Sequence, residues 1–385
     1  MADAIYLDNA ATTRVLPEVV ALMQRALQDE YGNPSSPHQK GIEAETAVRR
    51  ARERIAQAIG VDADEIVFTS GGTEANNLAV KGIGSQFVRR GGEILYSALE
   101  HPSVIEAAKR LAGDKLRVRA VPATRQGTMD LEALERMCSR ETRLLAIMAV
   151  NNETGVIQPV EEAVRIARRA NPDVIVHVDA VQALGKIPVN PRRWGADTLA
   201  LSGHKIHGPK GVGALYVRKG VSITPLLDGG GQERGLRSGT ENVPGIVGMG
   251  EAVDLAHAML HDHAERIRQL NERMRVALEA EISPIVWNSA PGPHCVPHIL
   301  NVAIPGIRGE VLVRSLGSRG VYVSTGSACS TRKNASSHVL TAMGLSQEAV
   351  DGSLRISFSA LTTEEEIDRA VKKIAEAVAE LKAWL

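Results

Sequence analysis

The chain has 385 residues, and 45 Lys+Arg balance 45 Asp+Glu, so no net field draws it to nucleic acid or to an anionic membrane. Hydrophobic residues make up 44 % and aromatic ones only 3 %, so a globular core has to be built from Ala, Val, Leu and Ile. No apolar run approaches the roughly 20 residues of a membrane span, the N-terminus carries no signal-peptide pattern, and three cysteines (Cys138, Cys295, Cys329) cannot make a disulfide framework. A cytoplasmic protein with neither a membrane nor a direct nucleic-acid partner is expected, too long for one simple core and so with two domains.

In chain order, strand and helix signals alternate. A short extended segment, Tyr6-Leu7-Asp8-Asn9-Ala10-Ala11-Thr12-Thr13, leads into a helix near Leu16-Pro17. Tyr31-Gly32-Asn33-Pro34-Ser35-Ser36-Pro37 has two prolines and a glycine and reads as a loop. Residues 41–59 place apolar side chains at helical spacing, residues 65–69 read as a strand, and Ser70-Gly71-Gly72-Thr73-Glu74 turns into a helix reaching about Lys81. Open N–H groups at that helix start favour an anion, and the glycines let it come close. An ordinary turn with Thr73 as cap is the plainer alternative.

Residues 94–97 form the next strand, ending near Glu100-His101-Pro102. A histidine there suits ring stacking or acid–base work, or is simply structural. Residues 144–150 are continuously apolar, the mark of a strand buried on both faces, and end at Asn151-Asn152-Glu153-Thr154-Gly155. An amphipathic helix over 160–170 follows, then an apolar run, 174–179, closing on Asp179. Repeated βαβ units predict a mostly parallel sheet with helices on both faces. Such sheets bind ligands at the carboxyl ends of their strands, where Thr73, His101, Asn152 and Asp179 all fall.

Leu201-Ser202-Gly203-His204-Lys205-Ile206-His207-Gly208-Pro209-Lys210-Gly211 then sets one lysine among small and imidazole side chains, 26 residues beyond Asp179 (205 − 179). A lysine that forms a Schiff base needs a neutral, reactive amine. Ser202 and His204 are placed to bond a phosphate, and Gly203 allows close approach. A P-loop fails by one position, because Pro209 stands where the motif needs Lys; a glycine-rich turn with surface lysines stays open. Further on come a strand at 214–218, a glycine loop at 229–235, Arg237-Ser238-Gly239-Thr240, one long helix over 244–281 and strands at 298–303 and 320–323. A small-residue loop, 324–337, carries Cys329, and a strand at 353–358 and a helix capped by Thr362 or Thr363 close the chain. Cys138 reads as part of an amphipathic helix, and His294-Cys295 with His298 lacks a fourth ligand for a metal. There are no internal repeats and no low-complexity tract.

On Ser202-Gly203-His204-Lys205, Arg237-Ser238-Gly239-Thr240 and Gly326-Ser327-Ala328-Cys329, nearly the whole chain resembles a cysteine desulfurase of the NifS/IscS type. These enzymes lie in the class V aminotransferase group of fold-type I pyridoxal phosphate (PLP) enzymes. The resemblance implies an α/β large domain over 15–259 with a mostly parallel, seven-stranded sheet. It also implies a smaller α+β C-terminal domain, 260–385 joined by 1–14, which carries the cysteine loop, here like the family's long, mobile kind.

The same resemblance implies that Lys205 binds PLP as a Schiff base and later moves the Cα proton, that Asp179 keeps the pyridine nitrogen protonated, and that His101 stacks on the ring. Asn152 and Gln182 would bond near the phenolic oxygen. Gly72, Thr73, Ser202 and His204 would hold the phosphate, with Thr240 from a second subunit of a homodimer. Arg355, helped by Asn33, would clamp the carboxylate of L-cysteine. Cys329 would attack the substrate sulfur, leaving L-alanine and a persulfide destined for an acceptor such as an iron–sulfur scaffold or a tRNA-thiolation protein. No resident metal is expected, although Cys329 could touch a cluster on a scaffold partner. Selenocysteine lyase or a small-substrate aminotransferase is the alternative within the group. A non-catalytic protein on the same fold is the rival of another class, against which the presence of Lys205 and Asp179 speaks.

Overall fold

The computed structural model describes residues 4–290, 292–326 and 336–383. Among the described residues twelve strands form: β1 (Ile5–Tyr6), β2 (Ile66–Thr69), β3 (Gly92–Ser97), β4 (Leu116–Val121), β5 (Thr142–Met148), β6 (Ile175–Asp179), β7 (Thr198–Ser202), β8 (Gly213–Val217), β9 (Val286–Trp287), β10 (Ile299–Ala303), β11 (Val321–Tyr322) and β12 (Ser353–Ser357).

Seven of them form the main sheet in the order β2-β8-β7-β6-β5-β3-β4. Only β8 runs against the rest, pairing antiparallel with β2 and β7, so the sheet is mostly parallel, as the βαβ pattern requires. The continuous apolar strand is fully buried from Leu144 to Met148, because helices cover both faces of the sheet. One apolar cluster joins Leu145, Ile147, Val176 and Val178 to Val48, Ile55 and Met249; another joins Ile94, Leu144 and Ala146 to Leu78, Ile83 and Val104. The carboxyl ends of β2, β3, β5, β6 and β7 therefore share one edge, where Thr69, Ser97, Met148, Asp179 and Ser202 sit.

A third cluster lies elsewhere, on β10, β12 and the closing helix Glu364–Lys382, with Ile5 and Leu7 from the chain start. β10 pairs antiparallel with β9 and β12, and β1 pairs parallel with β11. The closing helix starts in a capping box: Thr363 bonds the Glu366 N–H, and the Glu366 side chain bonds back to Thr363.

Three details differ from the sequence reading. The expected single helix over 244–281 is two, Val243–Ala258 and Leu260–Glu281, interrupted at Met259 (φ −107°, ψ 13°). The first buries Ile246, Met249 and Val253 in the main cluster, while the second buries Ile267, Leu270, Met274 and Leu278 in the third, so the axis must turn between them. Cys138 is not helical; it follows the helix Leu131–Met137 with extended backbone (φ −65°, ψ 139°). Thr73 is not a cap either: Gly71 is the N-cap of the helix Gly72–Gly84, and Thr73 lies in its first turn.

Candidate active site

The site is built from the strand ends outward. β7 ends at Ser202, and the one-turn segment Gly203–Lys205 brings the lysine back over the sheet edge. The Lys205 amine donates to the carbonyls of Ala10 (2.6 Å) and Ala11 (2.8 Å). Gln182, from the turn after β6, donates its amide N–H to the same Ala10 oxygen at 2.9 Å. The chain start is therefore part of this corner, and Thr13 adds bonds from N–H and hydroxyl to the His204 carbonyl. His204 shares a hydrogen bond with Thr12 Oγ1, and burial, followed by the charges of Lys205, Lys210 and Lys186, lowers its pKa to about 4.

Asp179, 5 % exposed, is held at both oxygens: Oδ2 accepts from Asn76 Nδ2 (2.8 Å) and Oδ1 from the Val181 N–H (3.0 Å). Asn76 links the carboxylate to two histidines. Its other amide hydrogen goes to Ser103 Oγ (2.9 Å), and Ser103 Oγ lies 2.8 Å from His101 Nδ1. On its far side Asn76 Oδ1 lies 2.9 Å from His177 Nε2, and His177 Nδ1 lies 2.9 Å from Thr198 Oγ1. Because the Asn76 oxygen can only accept, His177 is the Nε2–H tautomer and the Thr198 hydroxyl donates. His101 Nδ1 also accepts the Ser103 N–H as helix cap, which leaves Nε2 as the ring nitrogen open to a ligand. Burial lowers the His101 pKa; the Lys205 and His338 charges add to this, against Asp179.

Arg355, in the middle of β12 and 2 % exposed, donates to Asp8 Oδ1 (2.9 Å) and to the Asn152 carbonyl (3.0 Å), so it meets the turn after β5. Its Nε is buried without a partner. Two expected site residues are exposed in a single chain. Asn33 is exposed, its side chain turned back on the Ser35 N–H. Thr240 is exposed on a loop anchored through Glu233, whose buried carboxylate takes two bonds from Arg52 and one from the Phe68 N–H. Cys329 lies outside the described residues. Among those residues, His294, Cys295 and His298 form no group able to hold a metal.

The sequence reading passed over Asn76, Ser103, His177 and Thr198. The signal was present: His177 interrupts an apolar strand two residues before Asp179, so both point to one face, and Asn76 follows Thr73 by three residues on the same helix face.

These features fit PLP, the cofactor that the resemblance implies. Ser202 Oγ is buried without a partner, as a hydroxyl waiting for a phosphate would be. Gly71 adopts φ +153°, and a Cβ on Gly72 would come within 2.7 Å of Val181 Cγ2, so only glycines allow this helix start. Asp179 suits a protonated ring nitrogen and Lys205 an aldehyde carbon.

The fully buried His177 gives a test of the network. Burial depresses its pKa from 6.5 to about 3, so the fold favours the neutral ring. Its contribution is complete above pH 6.5 and is lost as pH falls towards 3. In denaturant titrations of the parent and His177→Gln, the parent's stability advantage should shrink by about 1.4 kcal/mol per pH unit below 6.5. An advantage that stays constant from pH 7 to 5 would contradict the neutral, donating ring.

The family model "Aminotransferase class-V" matches residues 5–370. The chain is 41 % identical over 378 residues to "Cysteine desulfurase IscS" of Dictyoglomus turgidum, covering 98 % of this chain and 95 % of that one. It superposes on a solved "NifS-like protein" with a TM-score of 0.92 at 42 % identity, over 98 % of this chain and 99 % of the other. A structure described as SspA in complex with cysteine matches with a TM-score of 0.81 at 35 % identity, over 93 % and 99 % of the two chains. Sheet, site and comparisons agree: the chain belongs to the class-V aminotransferase family, with the fold-type I architecture and PLP as cofactor.

Proposed function

We propose that the protein is a cysteine desulfurase that takes sulfur from L-cysteine, releases L-alanine and carries the sulfur as a persulfide on Cys329. The observation that carries this reading is the pairing, at neighbouring strand ends, of a lysine amine with a carboxylate held by two donors, in a chain this close to proteins named cysteine desulfurase. A relative solved with cysteine bound supports the substrate.

Bound at this edge, PLP supplies an electron sink that loosens the bonds at the substrate Cα. The residues divide the remaining work. Gly72, Thr73, Ser202 and His204 bind the phosphate, with Asn152 and Gln182 beside the ring oxygen. Asp179 holds the proton on the ring nitrogen. Lys205 moves the Cα proton, a step that takes the neutral amine. Arg355 and Asn33 orient the substrate carboxylate, and His101 Nε2 hands a proton to or from the substrate sulfur. The Cys329 thiolate attacks that sulfur: the S–S bond forms as the C–S bond breaks, and the electron pair of that bond stays with the carbon skeleton that becomes alanine.

A homodimer belongs to this reading. Asn33 and Thr240 are exposed in one chain, and the large apolar side chains of Leu27, Tyr31, Ile42, Leu226 and Leu227 are exposed near them in sequence. Two apolar clusters on the main sheet support a large domain over 15–259 and a third supports a small one over 260–385 with 1–14, with Ala10, Val296 and Ile299 of the small domain packed into the first. The unpaired Cys138 and Cys295, and the absence among the described residues of a helix long and apolar enough to cross a membrane, support the cytoplasm. The sulfur acceptor would be a scaffold for iron–sulfur clusters or a tRNA-thiolation protein.

Two measurements test the reading. Cys329→Ala should still change the cofactor's absorbance on adding L-cysteine while alanine output falls by orders of magnitude, because the remaining groups loosen Cα–H but none accepts sulfur. Cys138→Ala and Cys295→Ala should stay near the parent rate, since burial raises both thiols, Cys138 to about 11. Parent-level alanine from Cys329→Ala, or a keto acid in place of alanine, would sink the assignment. Sedimentation should give a dimer, and a monomer that still turns over L-cysteine would remove the shared site.

A further inference from the structure

Behind Gln182 stands a buried amine that the mechanism above does not use. Lys186, 8 % exposed and four residues further along the turn after β6, places its Nζ 2.5 Å from Gln182 Oε1. Gln182 Nε2 in turn reaches the Ala10 carbonyl that Lys205 also bonds. The chain of contacts runs from Lys186 through Gln182 and Ala10 to Lys205.

The direction of that chain follows from donor chemistry. An ammonium has three donors and no acceptor, so it takes the carboxamide oxygen and leaves the Gln182 N–H groups to face the Ala10 carbonyl that Lys205 also bonds. The groups that act on Lys186, or on which it acts, are Lys205, Arg355, His204, His207 and His298, and none is acidic. Lys186 borders a cavity of about 280 Å³ beside Lys205, whose walls add one carboxylate, Glu18, and one further imidazole, His263. Burial, then the charges of Lys205 and Arg355, bring the Lys186 pKa down to about 7, so its charge responds to whatever binds next to Gln182.

We propose that Lys186 is a positioning residue for the cofactor: acting through Gln182, it keeps the carboxamide N–H groups aimed at the Lys205 corner and sets how readily the Lys205 nitrogen holds a proton. The inference rests on the reading that Lys205 carries PLP.

The test is a pH titration of the visible absorbance of the cofactor-loaded enzyme. Lys186→Met removes a nearby positive charge and frees the Gln182 amide to turn, and both changes favour a proton at the Lys205 nitrogen. The midpoint should rise by about one pH unit, a shift of the size neighbouring charges produce. Lys186→Arg, which keeps charge and donors, should titrate close to the parent. A Lys186→Met midpoint equal to the parent's, with only thermal stability lowered, would overturn the proposal and leave a packing role. A parent without visible absorbance would overturn the PLP reading itself.

Should the Met variant fail to fold, the loaded parent decides. A crystal structure with Gln182 Nε2 within hydrogen-bond distance of the cofactor and Oε1 on Lys186 supports the proposal. Lys186 turned away from Gln182 overturns it.

Discussion

The amine of Lys205 rests on two main-chain carbonyls from the start of the chain, and much of the molecule is arranged so that this contact can exist. Residues 5–13 leave β1, pair with Ser357 through Asp8 and Asn9, and pass beneath Lys205 on the way to Thr13, which bonds the His204 carbonyl. One extended segment thus ties β11 and β12, which carry Arg355, to the ends of β6 and β7, which carry Asp179 and Lys205. Moving either part would break the bonds that the Ala10 and Ala11 carbonyls take from Lys205, at a cost of about 1–3 kcal/mol for each buried polar group left unmet.

The electrostatics of the site follow from the same burial. Asp179 keeps company with neutral donors rather than with a cation: an amide nitrogen and a backbone N–H hold its oxygens, and its charge is left for a ligand to meet. The histidines nearby are kept neutral by burial, so the basic groups at the edge are lysines and Arg355. Glu100, fully buried with a raised pKa from burial and from the Asp179 charge, adds no second negative charge while protonated. Such a corner has an anion, lysine amines and directional hydrogen bonds, which suits a cofactor that must bind in a single orientation.

Much of this was legible in the sequence, and the reasons are specific. An apolar run such as residues 144–150 can be little but a strand buried on both faces, and polar residues at its end belong to the sheet edge. That logic places Asp179, Thr73, His101 and Asn152 at the sheet edge. The edge strand β4 escaped notice because its arginines interrupt the apolar pattern with solvent-facing charge. The break at Met259 escaped because helical periodicity runs on through it, and only packing against two different clusters forces the turn. Links between residues far apart in sequence, Asn9 to Ser357 or Asn76 to His177, leave no local pattern at all.

The central claim is that Lys205, and not a neighbour, carries the cofactor. Lys186 and Lys210 are the rivals worth excluding, the first because it is buried and has a lowered pKa close by, the second because it shares the same glycine-rich turn. Borohydride reduction of the loaded protein followed by peptide mapping separates the three directly. The account predicts the pyridoxyl group on Lys205; finding it on Lys186 or Lys210 would contradict it.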